Sequence, residues 1–180
     1  MANRAYLYSA SRADDWDHPA KDPEKDYYDS RWVIPLAWFF FYVPSNIRMV
    51  DVQFGKSQWQ EIKLAADKAT AADVFSQRRP LLLSIIKNHL EEDAVMELLD
   101  TIRRWPGQFL LMDPEQVFGG MSQNDSWHAE RFNRILSLLA TDRPDPKIVL
   151  EAIYPYIGNF DSDHDRRRGQ VVGYTYTFPK

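Results

Sequence analysis

The run Val33-Ile-Pro-Leu-Ala-Trp-Phe-Phe-Phe-Tyr-Val43 carries no charge and needs burial. Even with Trp32 it is shorter than the roughly 20 residues that cross a bilayer, and Pro35 interrupts it. The chain must therefore fold a core around it. In so short a run, periodicity does not separate a buried helix from a buried strand. Pro35 favours a helix, since proline suits the first helical turn, and Ile34, Trp38 and Phe41 would then share one face. The aromatic density suits a strand. The material for a core is present: 44% of the 180 residues are hydrophobic and 14% aromatic, which excludes disorder of the whole chain and fits one domain over residues 1–180.

Around this run the pattern predicts an α+β domain. Residues 4–9 read as a strand with Tyr6 and Tyr8 on one face and Leu7 on the other. Residues 47–54 read as a second strand. From 57 to 105 the chain reads mostly helical, with Trp59, Ile62 and Ala66 at helical spacing. Thr70 is expected to cap a helix, with Asp73 reciprocal, and Pro80 to break it. The clearest helix is 91–104, striped by Val95, Leu98, Leu99 and Ile102, with acidic residues at its start and Arg103 and Arg104 at its end. A strand over 108–112 follows, then a helix from Asp125 or Ser126 to Ala140 striped by His128, Phe132, Ile135, Leu136 and Leu139, and a shorter helix over 147–154. Residues 158–169 read as a loop and 171–178 as a closing strand. The expectation is a small, mostly antiparallel sheet of about four strands that includes both termini, covered by five or six helices. No internal repeat and no interior linker interrupts it.

The formal net charge of −4 argues against nucleic acid or an anionic membrane as partner. There is no cysteine, which excludes disulfides, thiol catalysis and cysteine-ligated zinc and favours a reducing cytosol. The opening residues lack the apolar core of a signal peptide, and a cytoplasmic location is expected.

One segment stands apart in charge. Residues 14–29 hold seven carboxylates against two lysines, laced with Trp16, Tyr27 and Tyr28, and Pro19 and Pro23 make an acidic loop of residues 10–31. Clustered carboxylates with exposed aromatics can dock in the basic cleft of a protein that acts on nucleic acid or phosphate: charge speeds association and aromatics anchor it. The bland alternative is a loop whose aromatics fold back onto its own core. A second acidic loop, Asp161-Ser-Asp-His-Asp165, shares a histidine with the first; were the two to converge, Asp14, Asp17, His18, Asp163 and His164 could hold a divalent metal for hydrolysis. The calcium-loop pattern fails for want of its central glycine and closing glutamate. Phe118-Gly-Gly-Met121 has neither the spacing nor the lysine of a phosphate loop, no nucleophile elbow is present, and His128 on its apolar stripe reads as a core or boundary residue.

The opening Met1-Ala-Asn-Arg-Ala-Tyr-Leu-Tyr8, with Ile34-Pro-Leu-Ala-Trp38 and Val171-Val-Gly-Tyr-Thr-Tyr176, resembles a family of small bacterial cytosolic proteins to which no activity, cofactor or catalytic residue is attached. In general character the chain is also similar to immunity proteins of bacterial toxin systems, which are small, acidic and without an enzymatic signature. These features lead to the expectation of a non-enzymatic module, without cofactor, that binds another protein such as a basic toxin domain and neutralises it by blockade. Asp14, Asp15, Asp17, Glu24 and Asp26 would supply charge, and Trp16, Tyr27 and Tyr28 anchoring area. The alternative is a metal-dependent hydrolase, or an enzyme that reverses a toxin's modification, using the two Asp/His loops.

Overall fold

Residues 36–41 decide the architecture, because all six are buried in a 3₁₀ helix, Leu36–Phe41. The computed structural model describes residues 4–17, 19–21, 26–54, 57–86, 89–114, 125–158 and 164–176. Within them lie strands β1 (Arg4–Ala10), β2 (Tyr27–Arg31), β3 (Ile47–Phe54), β4 (Ser57–Asp67), β5 (Phe109–Asp113) and β6 (Tyr174–Tyr176). The described α-helices are α1 (Lys68–Ile86), α2 (His89–Arg104), α3 (Asp125–Leu139), α4 (Pro146–Ile157) and α5 (His164–Val172). The strands form one antiparallel sheet in the order β3-β4-β5-β1-β2-β6. The α+β class holds. The sheet contains both terminal strands, but β2 lies between them, and among the described residues it has six strands rather than about four.

Every side of the Leu36–Phe41 turn meets protein, so no single apolar face exists for Ile34, Trp38 and Phe41 to share. Phe41 stacks on Phe75 of α1 with centroids 4.2 Å apart, and Phe39 packs on Phe132 of α3 at 5.3 Å. The Trp38 indole N–H donates to the Val172 carbonyl at the end of α5 (2.9 Å). The backbone polar groups flanking this run are also satisfied at long range: Ile34 N–H donates to the Tyr156 carbonyl (2.9 Å), and Arg78 donates to the Tyr42 carbonyl (2.6 Å). Burial lowers the Arg78 guanidinium to about 10, which leaves it charged at neutral pH.

The sheet has two unlike faces. Leu7, Ile62, Leu64, Ala66, Leu110 and Met112 face the helices and share their core. Tyr6, Tyr8, Tyr27, Ala65 and Leu111 form a smaller cluster on the opposite face. The alternation expected of Tyr6, Leu7 and Tyr8 is therefore present. The stripes of α2 and α3 are buried as expected, His128 included.

Four expectations are corrected. Residues 57–67 are strand β4, not helix: Trp59 and Ile62 point to opposite faces, and the working period is two, with Ile62, Leu64 and Ala66 inward. The α1 cap is Asp67, whose Oδ1 accepts from the Thr70 N–H (2.9 Å) and hydroxyl (3.0 Å). Pro80 does not break α1; it lies inside the helix at an exposed position, where its ring does not disturb the core. Residues 164–172 are helix α5 rather than loop and strand. Its last two valines are both buried, which a strand with only one buried face does not give. No helix among the described residues is long and apolar enough to cross a membrane.

Gly173 turns the chain from α5 into β6 at φ +85°, and a Cβ there would stand 2.7 Å from Trp38 Cζ2, a ring held by its bond to Val172. Gly173→Ala is expected to cost about 2–3 kcal/mol, from the left-handed backbone and the overpacking together, measured by urea unfolding. A loss below about 0.5 kcal/mol would show that the indole yields and does not fix the turn.

Candidate functional site

The face of the sheet away from the helices is polar and aromatic. Cross-strand register sets Tyr6 opposite Asp113 on one side and Asp29 on the other, and Tyr8 opposite Leu111 and Tyr27. Two ion systems flank these tyrosines. Lys63 Nζ sits 2.8 Å from Glu61 Oε2 and 2.7 Å from Asp113 Oδ2, with Lys63 only 4% exposed. Burial alone would lower the Lys63 ammonium, but Asp113 and Glu61 outweigh it and the net direction is upward. At the other end Arg4 pairs with Asp29, where burial outweighs the guanidinium and raises the carboxyl.

The first residues of the acidic segment lie on this face. Ala13 and Trp16 pack on the tyrosine cluster, so Trp16 is half-buried against the protein's own sheet. The Tyr8 hydroxyl donates to the Asp15 carbonyl at 3.2 Å. Burial, with Asp113 next in weight, pushes that hydroxyl well above its usual range and keeps it a donor. Local turns close the segment: Asp15 N–H reaches the Arg12 carbonyl and Trp16 N–H the Asp14 carbonyl. Arg12 grips Asp14 through two parallel bonds of 2.9 Å, which hold the Asp14 carboxyl below its ordinary range. Both side chains are largely in water, so the pair shapes the turn more than it stabilises the fold.

Pinned this way, the segment forms one wall of an open cleft of about 560 Å³. The other wall is residues 50–53 of β3. Among the described residues, Asp14, Asp15 and Asp17 line it together with Arg12, and Asp51 borders it from β3. The cleft thus concentrates negative potential over a floor that includes Val50 and Val52.

Of the expected binding residues, Asp14, Asp15, Trp16 and Asp17 come together on this wall. Asp26 stands half-buried just before β2, and Glu24 lies outside the described residues. Tyr27 and Tyr28 are corrected: they belong to β2 and are buried, Tyr27 in the tyrosine cluster and Tyr28 in the main core against Trp105 at 5.6 Å. A strand puts successive side chains on opposite faces, so the pair cannot both point outward. Sequence reasoning missed Val50, Asp51, Val52 and Gln53; residues 47–54 read as a strand, but nothing local tells an edge strand from a central one. It also missed Lys63, whose signal was a lone cation in a two-residue alternation.

Of the alternative metal set, Asp14 and Asp17 are on the cleft wall, and His164 opens α5, a helix that packs on α2 and the Leu36–Phe41 turn. His18 and Asp163 lie outside the described residues. Among the described residues no group of three or more His, Cys, Asp or Glu is placed to hold a metal ion. His128 is a core residue, its Nδ1 3.2 Å from the Tyr156 hydroxyl. No protein-family model, curated protein or solved structure matches this chain.

Lys63→Met leaves the half-buried Glu61 and Asp113 side by side without their shared cation and is expected to cost about 2–3 kcal/mol in denaturant unfolding. Adding Glu61→Gln and Asp113→Asn should restore much of it. Because the folded ammonium is raised, its contribution is complete below the unfolded value of about 10.4 and drains as pH rises through the folded one. A loss in the single variant that the triple variant does not relieve would assign the role of Lys63 to packing instead.

Proposed function

We propose that this protein is a non-enzymatic module that binds another protein, of the immunity type: bacterial and cytoplasmic, it occupies a basic toxin domain and blocks it by charge and bulk. The observation that supports this reading is the cleft, where, among the described residues, Asp14, Asp15 and Asp17 stand together beside an edge strand. Such a surface steers a cationic partner and speeds encounter. The wall is held before binding by Tyr8 and by Trp16, which lowers the ordering cost of association. Trp16 serves this reading as an internal clamp on the wall, not as an exposed anchor. The net charge of −4 supports a protein partner over nucleic acid or an anionic membrane.

The test begins with capture of the tagged protein's partner from its source cells. The combined Asp14→Asn, Asp15→Asn and Asp17→Asn variant should then associate with that partner at least about tenfold more slowly at low salt, with a flatter dependence on ionic strength. Folding should change by no more than about 0.5 kcal/mol, since these carboxylates stand at the surface. An unchanged rate and salt slope would remove the cleft from the interface.

A further inference from the structure

Among the described residues β3 is the long edge strand of the sheet, and it borders the cleft. Strand β3 pairs with β4 along all eight residues, from Ile47 opposite Leu64 to Phe54 opposite Ser57, and is the terminal strand on its other side. The sheet's other edge, β6, has three residues. An edge strand offers a row of backbone N–H and C=O groups as a template for another chain, and proteins blunt such edges with proline, bulges, shortness or charge. The register of β3 with β4 is continuous, so it has no bulge, and the strand contains no proline, glycine or lysine. Its charges are Arg48 and Asp51.

The face beside this edge is also open. Val50 and Val52 lie opposite Glu61 and Trp59, on the cleft side of the sheet, and the Trp59 side chain is 39% exposed. On the reverse side Met49 is 41% exposed. The carboxylates of residues 14, 15 and 17 overlook the cleft side, while Asp51, between Val50 and Val52, lies on the reverse side with Met49, where its Oδ1 accepts from the Gln60 amide at 2.9 Å. That rim selects the occupant. A second copy of this chain would bring the same three aspartates against themselves, and like charges placed opposite one another oppose pairing. A cationic strand meets no such opposition.

We propose that β3 accepts an extended, cationic segment of a partner protein as a seventh antiparallel or parallel strand, with alternate Lys or Arg side chains lying over Val50 and Val52 toward the aspartates. Strands sit about 4.8 Å apart, and a lysine or arginine stem spans that distance while covering apolar surface with its methylenes. The intervening side chains fall beside Met49 and Asp51 on the reverse face. Main-chain hydrogen bonds supply affinity, and the two-residue alternation of charge supplies specificity. This inference rests on the protein-binding reading and specifies its mode.

The probe is a labelled eight-residue peptide alternating lysine and valine. Its control is the same peptide with alternate amides N-methylated, which keeps the charge and removes the donors on one edge. Binding to the full chain is read by fluorescence anisotropy at low and moderate salt, and the contact site by amide NMR. The expected result is at least about tenfold tighter binding of the unmethylated peptide, amide shifts centred on residues 47–54, and about a tenfold loss in the triple Asp→Asn variant. Equal binding of the two peptides, absence of binding at low salt, or shifts centred on β6 would each overturn strand addition. The protein-binding reading has its own readout: a captured partner whose association keeps its salt dependence sustains that reading even if strand addition falls. If the peptide seats on β3 but does not displace the captured partner, strand addition stands and blockade through this cleft falls.

Discussion

Burial of the Leu36–Phe41 turn is the constraint on which the rest depends. Six consecutive apolar side chains with no solvent face require protein on every side. The larger ones contribute about 1.5–3 kcal/mol each by leaving water, but only where something replaces the water. Helices α1, α3 and α5 supply that packing. The buried backbone demands equally specific partners, and the chain meets them with groups from distant segments: the Tyr156 carbonyl of α4, the Arg78 guanidinium of α1 and, for the Trp38 indole, the Val172 carbonyl. Displacing any of these helices would expose apolar rings and strand polar groups together.

The helical layer thereby commits one face of the sheet and leaves the other to different chemistry. The far face carries tyrosines, an ion triad and an Arg–Asp pair, and the turn of chain that holds Ala13 and Trp16 packs on it. That turn holds its place through a few contacts at residues 13, 15 and 16, which leaves its carboxylates at the surface. Because β4 and β3 continue the sheet past the covered cluster, the turn overhangs an open strand pair, and the cleft is the space between them. The acidity of the site and its position at a sheet edge have separate physical origins, and the fold brings them together.

The legible parts were those where a single local period dominates. Residues 4–10 alternate, α2 and α3 carry uninterrupted stripes, and all three were readable because their buried faces are uniform in character. Where a buried strand carries charge or follows an acidic turn, the pattern misled. In β4, Lys63 and Glu61 occupy a face that composition marks as exposed, and Trp59, Ile62 and Ala66 fall by chance on a helical spacing. In β2, Tyr27 and Tyr28 looked like loop anchors because the acidic residues before them carry a turn signature. Pro80 misled for another reason: a proline is tolerated inside a helix at an exposed position, and exposure is not local information.

The amino-acid sequence by itself determined the class of the fold, the need for a large aromatic core, the main helical stripes and the acidity of residues 14–17. These follow from short-range spacing and composition, which act within one or two turns of chain. Only the tertiary structure decided that β3 is an edge strand, that Lys63 is buried among carboxylates, that Trp16 turns inward and that the acidic turn meets residues 50–53. Each of those depends on which segments become neighbours, and neighbours are chosen by burial and backbone hydrogen bonding summed over the whole chain.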